Sequence, residues 1–187
     1  MPHKKIDRKK SASSNQKGLA IWLTGLPCSG KTTLAREIEK YLSKKKLRIT
    51  LLDGNNFRKK HVKKLGFTRE DRNKNIRKAA HETNRLARQG INVVAAFISP
   101  YREMRDYARR ICPNFIEIYV KCDVKECIKR DTRGLYKRAL AGEIENFTGI
   151  SDPYEEPTKP EIILETNKMS IEESSRRIIY FLEKWCE

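Results

Sequence analysis

The sequence predicts an α/β fold of three layers, a mostly parallel central sheet with helices on both faces. Two observations carry this. From Gly18 onward, short apolar runs alternate with longer amphipathic ones, the pattern of strands joined by helices. The first run, Ala20 to Thr24, is apolar almost throughout and stops at Gly25, as a strand buried on both faces does.

The elements follow in order. Lys31 to Leu42 places Leu34, Ile38, Tyr41 and Leu42 on one helical face. Arg48 to Leu52 is a second strand ending at Asp53. Arg69 to Gln89 is a long helix with Ile76, Ala80, Thr83 and Ala87 inward, and Gly90 stops it. Asn92 to Phe97 is a third strand, followed by a helix from about Tyr101 to Arg110 and a fourth strand, Phe115 to Val120. Asp123 is placed to cap the next helix. A basic stretch runs through Arg138, and a loop rich in Gly, Asn and Pro reaches Pro160. Ile162 to Leu164 is a fifth strand. Ser170 with Glu173 forms a capping box for a last helix to about Trp185. Ligands of such folds bind beyond the C-terminal ends of the strands.

The chain of 187 residues suits one domain. Residues 1–17 carry Lys4, Lys5, Arg8, Lys9, Lys10 and Lys17 against Asp7 alone and hold little to bury, so a disordered basic tail precedes a domain at 18–187. No apolar run approaches the roughly 18 to 20 residues of a membrane span, and the N-terminus lacks the apolar stretch of a signal peptide. A cytoplasmic location is expected, without membrane attachment. The odd count of 5 cysteines, with no C-x-x-C pair, argues for reduced thiols rather than disulfides or zinc. His61 and His81 lack metal-ligand spacing and are read as surface residues. The net charge of +17 admits two readings, a nucleic-acid patch or a site that gathers anionic nucleotides. No helix-turn-helix, RNA-binding or zinc-finger signature supports the first, so no specific nucleic-acid partner is expected.

Gly25-Leu26-Pro27-Cys28-Ser29-Gly30-Lys31-Thr32 fits G-x-x-x-x-G-K-[ST]. It follows a predicted strand and opens a predicted helix, the context that gives this motif its meaning. The glycines let backbone N–H groups turn toward phosphate oxygens, and the helix adds the positive end of its dipole. Lys31 is expected to reach the β- and γ-phosphates of ATP, and the Thr32 hydroxyl to ligate Mg²⁺. The fold is thus expected to be a three-layer sandwich of the P-loop NTPase type.

Further motifs narrow the reaction. Asp53-Gly54-Asn55-Asn56-Phe57-Arg58 follows the second strand. Leu65-Gly66-Phe67-Thr68 precedes Asp71-Arg72-Asn73-Lys74-Asn75-Ile76-Arg77. The third strand runs into Phe97-Ile98-Ser99-Pro100-Tyr101-Arg102. Later come Arg130-Asp131, Gly134-Leu135-Tyr136-Lys137 and Asn146-Phe147-Thr148-Gly149-Ile150-Ser151-Asp152-Pro153-Tyr154. This ordered set resembles the adenylylsulfate kinase (APS kinase) family from about residue 17 to the C-terminus.

The resemblance implies a kinase that uses ATP with Mg²⁺ and a small nucleotide acceptor, adenylyl sulfate, phosphorylated on its 3′-hydroxyl. It implies that Phe67 and Phe147 sandwich the acceptor adenine, and that Arg58, Arg72 and Asn75 hold its phosphosulfate. It adds Thr33 and Arg130 to the ATP site, and Ile98, Ser99 and Lys137 to the acceptor site. Arg130 and Lys137 look like parts of a mobile lid. Lys31, Asp53 and Ser99 are the candidate catalytic residues. For Ser99 a contact role is favoured over a phosphorylated intermediate, because no base neighbours it in sequence and in-line transfer needs no covalent step. A homodimer and inhibition by adenylyl sulfate are further implications.

One departure stands out. The family usually has Asp where this chain has Asn55. Asn55 cannot accept a proton, and Asp53 is the candidate for the missing role. The change also keeps open a kinase of the same fold acting on a different activated nucleotide. Two rivals from different classes are a non-catalytic nucleotide switch and a charge-driven nucleic-acid module.

Overall fold

The computed structural model describes residues 16–61 and 65–185. Most of the basic tail, the side chain of His61, and Cys186 lie outside the described residues.

The chain alternates β1 (Ala20–Thr24), α1 (Lys31–Lys44), β2 (Ile49–Asp53), α2 (Gly54–His61), α3 (Arg69–Arg88), β3 (Asn92–Ala96), α4 (Arg102–Ile111), β4 (Phe115–Lys121), α5 (Val124–Lys129), α6 (Leu135–Leu140), β5 (Ile162–Glu165) and α7 (Ile171–Trp185). The sheet has five strands in the order β2-β3-β1-β4-β5, and every pairing is parallel. No described helix is long and apolar enough to cross a membrane.

Strand alternation sorts the core into two layers. Ile21, Leu23, Val94 and Ile118 face α1 and α7, where Leu34, Ile38, Ile178 and Leu182 close the layer. Ala20, Trp22, Ala95 and Phe97 face the other way, against Ile76, Ala80, Met104 and Ala108 of α3 and α4. The Trp22 and Phe97 rings stack at 5.3 Å. A third cluster, with Cys122, Cys127, Tyr136, Ala139 and Phe147, lies beneath α5, α6 and the loop after them.

The helix ends follow their local chemistry. The Thr68 side chain accepts the Asp71 amide at 3.2 Å and caps α3. The capping box of α7 is formed in both directions, Ser170 N to Glu173 Oε2 at 2.8 Å and Glu173 N to Ser170 Oγ at 3.1 Å. Asp123 stands at the N-cap of α5, but its side chain makes no capping bond there. Its carboxylate instead accepts Asn167 Nδ2 at 2.8 Å. Two helices, α2 and α6, were not expected from the sequence.

A buried ionic knot ties α4 to the sheet. Arg105 Nε lies 3.0 Å from Glu117 Oε1, with side chains 2% and 7% exposed. Arg109 bridges Glu117 at 3.1 Å and Glu161 at 2.6 Å. The remaining Arg105 donors reach the Ser99 carbonyl at 2.6 Å and the Glu155 carbonyl at 2.5 Å. Removing one member of a buried pair strands the other, at a cost of about 3 to 5 kcal/mol. Arg105→Met should therefore lower stability in a urea titration by an amount in that range, and Arg105→Met with Glu117→Leu should recover part of it. A single variant within about 1 kcal/mol of wild type would mean that the knot contributes little.

Candidate active site

The phosphate loop leaves β1 at Gly25. Gly25 has φ +150, and a Cβ there would lie 2.3 Å from the Val120 carbonyl oxygen of β4. Only glycine fits so close to a neighbouring strand. The loop then turns through Cys28 at φ 61 and Gly30, the left-handed N-cap of α1 at φ 99. Thr166, just past β5, holds the loop from below: its hydroxyl donates to the Ser29 carbonyl at 2.9 Å. Burial, then Asp131, push the Cys28 thiol up, away from the thiolate form that reacts.

Lys31 is buried and curls back along its own loop. Its ammonium donates to the Gly25 carbonyl at 2.9 Å and the Leu26 carbonyl at 2.5 Å. Loss of hydration lowers its pKa to about 8, against the pull of nearby thiols and Asp53. Beside it, the Thr32 hydroxyl donates to Asp53 Oδ2 at 2.8 Å. The other Asp53 oxygen accepts the amides of Asn55 at 3.1 Å and Asn56 at 3.3 Å, so Asp53 starts α2 as well as facing the loop. Asn55 is exposed.

A cavity of about 570 Å³ opens next to the loop, lined by Gly30, Lys31, Thr32, Thr33, Arg130 and Thr166 among others. Arg130 sits at the end of α5, held by Glu126 at 3.1 Å and the Thr166 carbonyl at 2.7 Å. These bonds tie it to the cavity wall. Lys137 is exposed on α6, apart from that wall.

Of the residues expected at the acceptor, Arg58, Phe67, Asn75 and the segment of Phe147 lie around Arg72. Phe67 is 51% exposed, and the Arg58 guanidinium lies over its ring at 4.2 Å. Arg58 also donates to the carbonyls of Leu65 and Gly66, which holds the Phe67 turn to α2. Arg72 donates to the Phe67 carbonyl at 2.9 Å and to the Asn146 carbonyl, and lies 3.8 Å from Asp152. One buried guanidinium thus joins the segments carrying Phe67 and Phe147. Burial lowers its pKa and Asp152 opposes this. Phe147 is itself buried, edge-on to Tyr136 at 4.9 Å. Asn75 Oδ1, one turn from Arg72, and Thr148 Oγ1 are buried without a hydrogen-bond partner, an arrangement with hydrogen-bonding capacity to spare.

Ser99 is placed differently from an exposed nucleophile. It is 1% exposed, with φ 40. Its hydroxyl accepts Trp22 Nε1 at 3.1 Å and donates to Thr24 Oγ1 at 3.0 Å. Ile98 is half-buried, and its carbonyl accepts the Thr24 hydroxyl at 2.8 Å. Several residues that brace the neighbourhood of the site were given no role from the sequence: Arg105, Thr24, Thr166, and Tyr101, whose hydroxyl donates to Asp152 at 2.6 Å. Tyr136 was missed too, although G-L-Y-K contains it. Their spacing carries no signal, because each acts on residues remote in the chain.

The model of the family described as adenylylsulphate kinase matches residues 17–165. An adenylyl-sulfate kinase from Halothermothrix orenii is 48% identical over 91% of this chain and 92% of its own length. One from Oceanobacillus iheyensis is 47% identical over 96% of this chain and 90% of its own. Among solved structures, the Mycobacterium tuberculosis APS kinase in complex with AMPPNP and APS superposes with a TM-score of 0.85 at 37% identity, over 89% of this chain and 98% of that one. The phosphate loop, the acceptor segments knit by Arg72 and these likenesses agree: the chain belongs to the adenylylsulphate kinase family.

Proposed function

We propose that this protein transfers the γ-phosphate of ATP to the 3′-hydroxyl of adenylyl sulfate, giving ADP and 3′-phosphoadenylyl sulfate. The observation that carries the reading is Arg72, which joins two segments that each carry a phenylalanine, the second of them packed on the phosphate loop. The relative solved with AMPPNP and APS supports the choice of substrates.

ATP phosphates lie in the loop of Gly25 to Thr32, with Lys31 exchanging its carbonyl partners for phosphate oxygens. Leu26, Pro27, Cys28 and Ser29 shape the cradle around them. Thr33 and Arg130 border the nucleotide in the cavity beside the loop. Thr32 and Asp53 are hard oxygen donors already 2.8 Å apart, a pair that suits Mg²⁺. That ion, when bound, supplies charge neutralisation on the phosphates.

The acceptor adenine stacks with Phe67 and Phe147, which is worth roughly 1 to 3 kcal/mol per base and fixes its plane. Arg58, Arg72 and Asn75 face its phosphosulfate, since guanidinium forks pair with oxyanions. Ile98 lines the slot, and Lys137 on α6 closes over it. Ser99 acts by holding the loop after β3. A serine 1% exposed, its hydroxyl bonded on two sides, supports that role over contact with a phosphoryl group. The reaction is a direct in-line displacement, driven by proximity and fixed charge. The resemblance adds a homodimer.

A coupled assay with ATP and a panel of 5′-nucleotide acceptors tests the proposal. ADP release is expected with adenylyl sulfate only; equal release with another nucleotide would sink the acceptor assignment.

Asp53 bonded to Thr32 makes a second carboxylate at residue 55 dispensable. Asn55→Asp should change kcat by less than about threefold. A gain of about tenfold or more, approaching the usual range of proton-transfer help, would show that the missing charge matters.

Lys31 gives a pH signature. The folded protein releases this proton near pH 8, the unfolded chain only near 10.5. Between those values the unfolded state binds more protons, so nucleotide-free stability gains a contribution as pH rises. Phosphate binding runs the other way, because it needs the charged amine. The Kd for ATP should weaken with pH above 8, approaching about tenfold per unit. A Kd unchanged between about pH 7.5 and 9.5 would count against a buried, titrating Lys31.

A further inference from the structure

We propose that Tyr136 couples the two substrate sites, so that nucleotide in the phosphate loop and acceptor at Phe147 strengthen each other's binding. The inference rests on the acceptor reading above. Its basis is a side chain with one end on each site. The Tyr136 hydroxyl donates to the Pro27 carbonyl in the middle of the phosphate loop at 3.0 Å. Its ring meets the Phe147 ring edge-on, with centroids 4.9 Å apart and planes at 74°. The side chain is fully buried, so neither contact is a surface accident. The hydroxyl also lies beside the Cys127 thiol.

A second contact runs parallel to the first. Gly149, two residues after Phe147, has φ +91, and a Cβ there would lie 2.9 Å from Leu26 Cδ2. Leu26 and Cys28 of the loop pack on the cluster formed by Tyr136, Phe147, Cys122 and Cys127. The tip of the phosphate loop and the acceptor loop therefore share one small core. Core packing does not deform continuously, so a ligand that fixes one wall fixes the other. The second ligand then meets a site already ordered, which is positive coupling.

The position of Tyr136 on α6 matters to this coupling. α6 begins at Gly134, in the left-handed region at φ 67, and the Tyr136 amide is held by Asp131 Oδ2 at 2.7 Å. The helix is thus tethered at its start while its buried face reaches both substrates' loops.

Calorimetric titration with the β,γ-imido analogue of ATP, with and without saturating adenylyl sulfate, measures the coupling without turnover. In the wild type each ligand should tighten the other by the same factor, about fivefold or more. Tyr136→Phe keeps the ring and removes the bond to Pro27. It should lower that factor by about threefold or more while both binary affinities stay within about threefold, consistent with loss of one hydrogen bond. If Tyr136→Phe does not fold, Leu26→Ala, which breaks the parallel contact with Gly149, should lower the factor instead. A wild-type factor of one, or a factor unchanged in the folded variant, overturns the relay. So would weakened binary affinities with the factor intact, which mark a merely structural tyrosine. Failure of the wild type to bind adenylyl sulfate at all would instead overturn the functional reading.

Discussion

Gly25 lies so close to the Val120 carbonyl that no side chain fits between them, and the rest of the site is built outward from that approach. It fixes where the phosphate loop starts and in which direction it curls. Lys31 and Thr32 follow at the mouth of α1. Thr32 meets Asp53, and Asp53 starts α2 by accepting the Asn55 and Asn56 amides. From α2, Arg58 holds the turn before Phe67. Arg72 ties that turn to Asn146, and Phe147 next in the chain packs on Tyr136. Tyr136 donates to Pro27, inside the loop where the path began. The contacts form a closed circuit around the reaction site. A circuit of packed and hydrogen-bonded segments resists local distortion better than an open chain of them, because each segment is held from two sides.

Charge burial sets the character of this circuit. Lys31, Arg72 and Arg105 are all buried cations, and each is satisfied in its own way. Arg105 has a full carboxylate partner, two backbone carbonyls and no role at the phosphate loop. It is a structural charge that stiffens the segment after β3. Arg72 has a distant carboxylate at 3.8 Å and otherwise neutral carbonyls. Lys31 has carbonyls alone within hydrogen-bond reach apart from Ser29 Oγ at 3.3 Å. The order is informative: the less a buried cation is neutralised by the protein, the more it gains from an incoming anion. Lys31 and Arg72 stand at the two ends expected to receive the triphosphate and the phosphosulfate.

β1, β3 and β4 were legible because burial on both faces leaves a continuous apolar run, and amphipathic periodicity marks α1 and α3. All five strands lie within a residue or so of their expected positions. The capping box of α7 was legible because Ser170 and Glu173 bond to each other's amides, a local matter. α2 was not, since Gly54, Asn55 and Asn56 are weak helix formers; the Asp53 carboxylate supplies the start that propensity does not. α6 hides within a loop-like stretch because Gly134 opens it and it runs for 6 residues. The phosphate loop was legible as a motif. The partners of Arg58 and Arg72 were not, because they are backbone carbonyls, which carry no residue identity. Asp123 shows the same limit: the cap position was readable, but Asn167, far along the chain, takes its carboxylate.

In the proposed reading, the guanidinium and ammonium contacts hold the site in shape before its ligands arrive. Arg58, Arg72 and Lys31 donate to neutral carbonyls. These bonds are already charge-assisted through their donors, and a phosphate or sulfate oxygen adds the attraction of a full opposite charge that a carbonyl lacks. Ligand entry is then an exchange of partners around side chains already held near their working positions. Little side-chain entropy remains to be lost at that step. The same carbonyl bonds spare the buried cations the cost of being unsolvated and unpaired before the ligand arrives. The fold thus uses its own backbone as a placeholder for oxyanions, and the net charge of +17 supplies the long-range attraction that brings anionic nucleotides to the place where the exchange occurs.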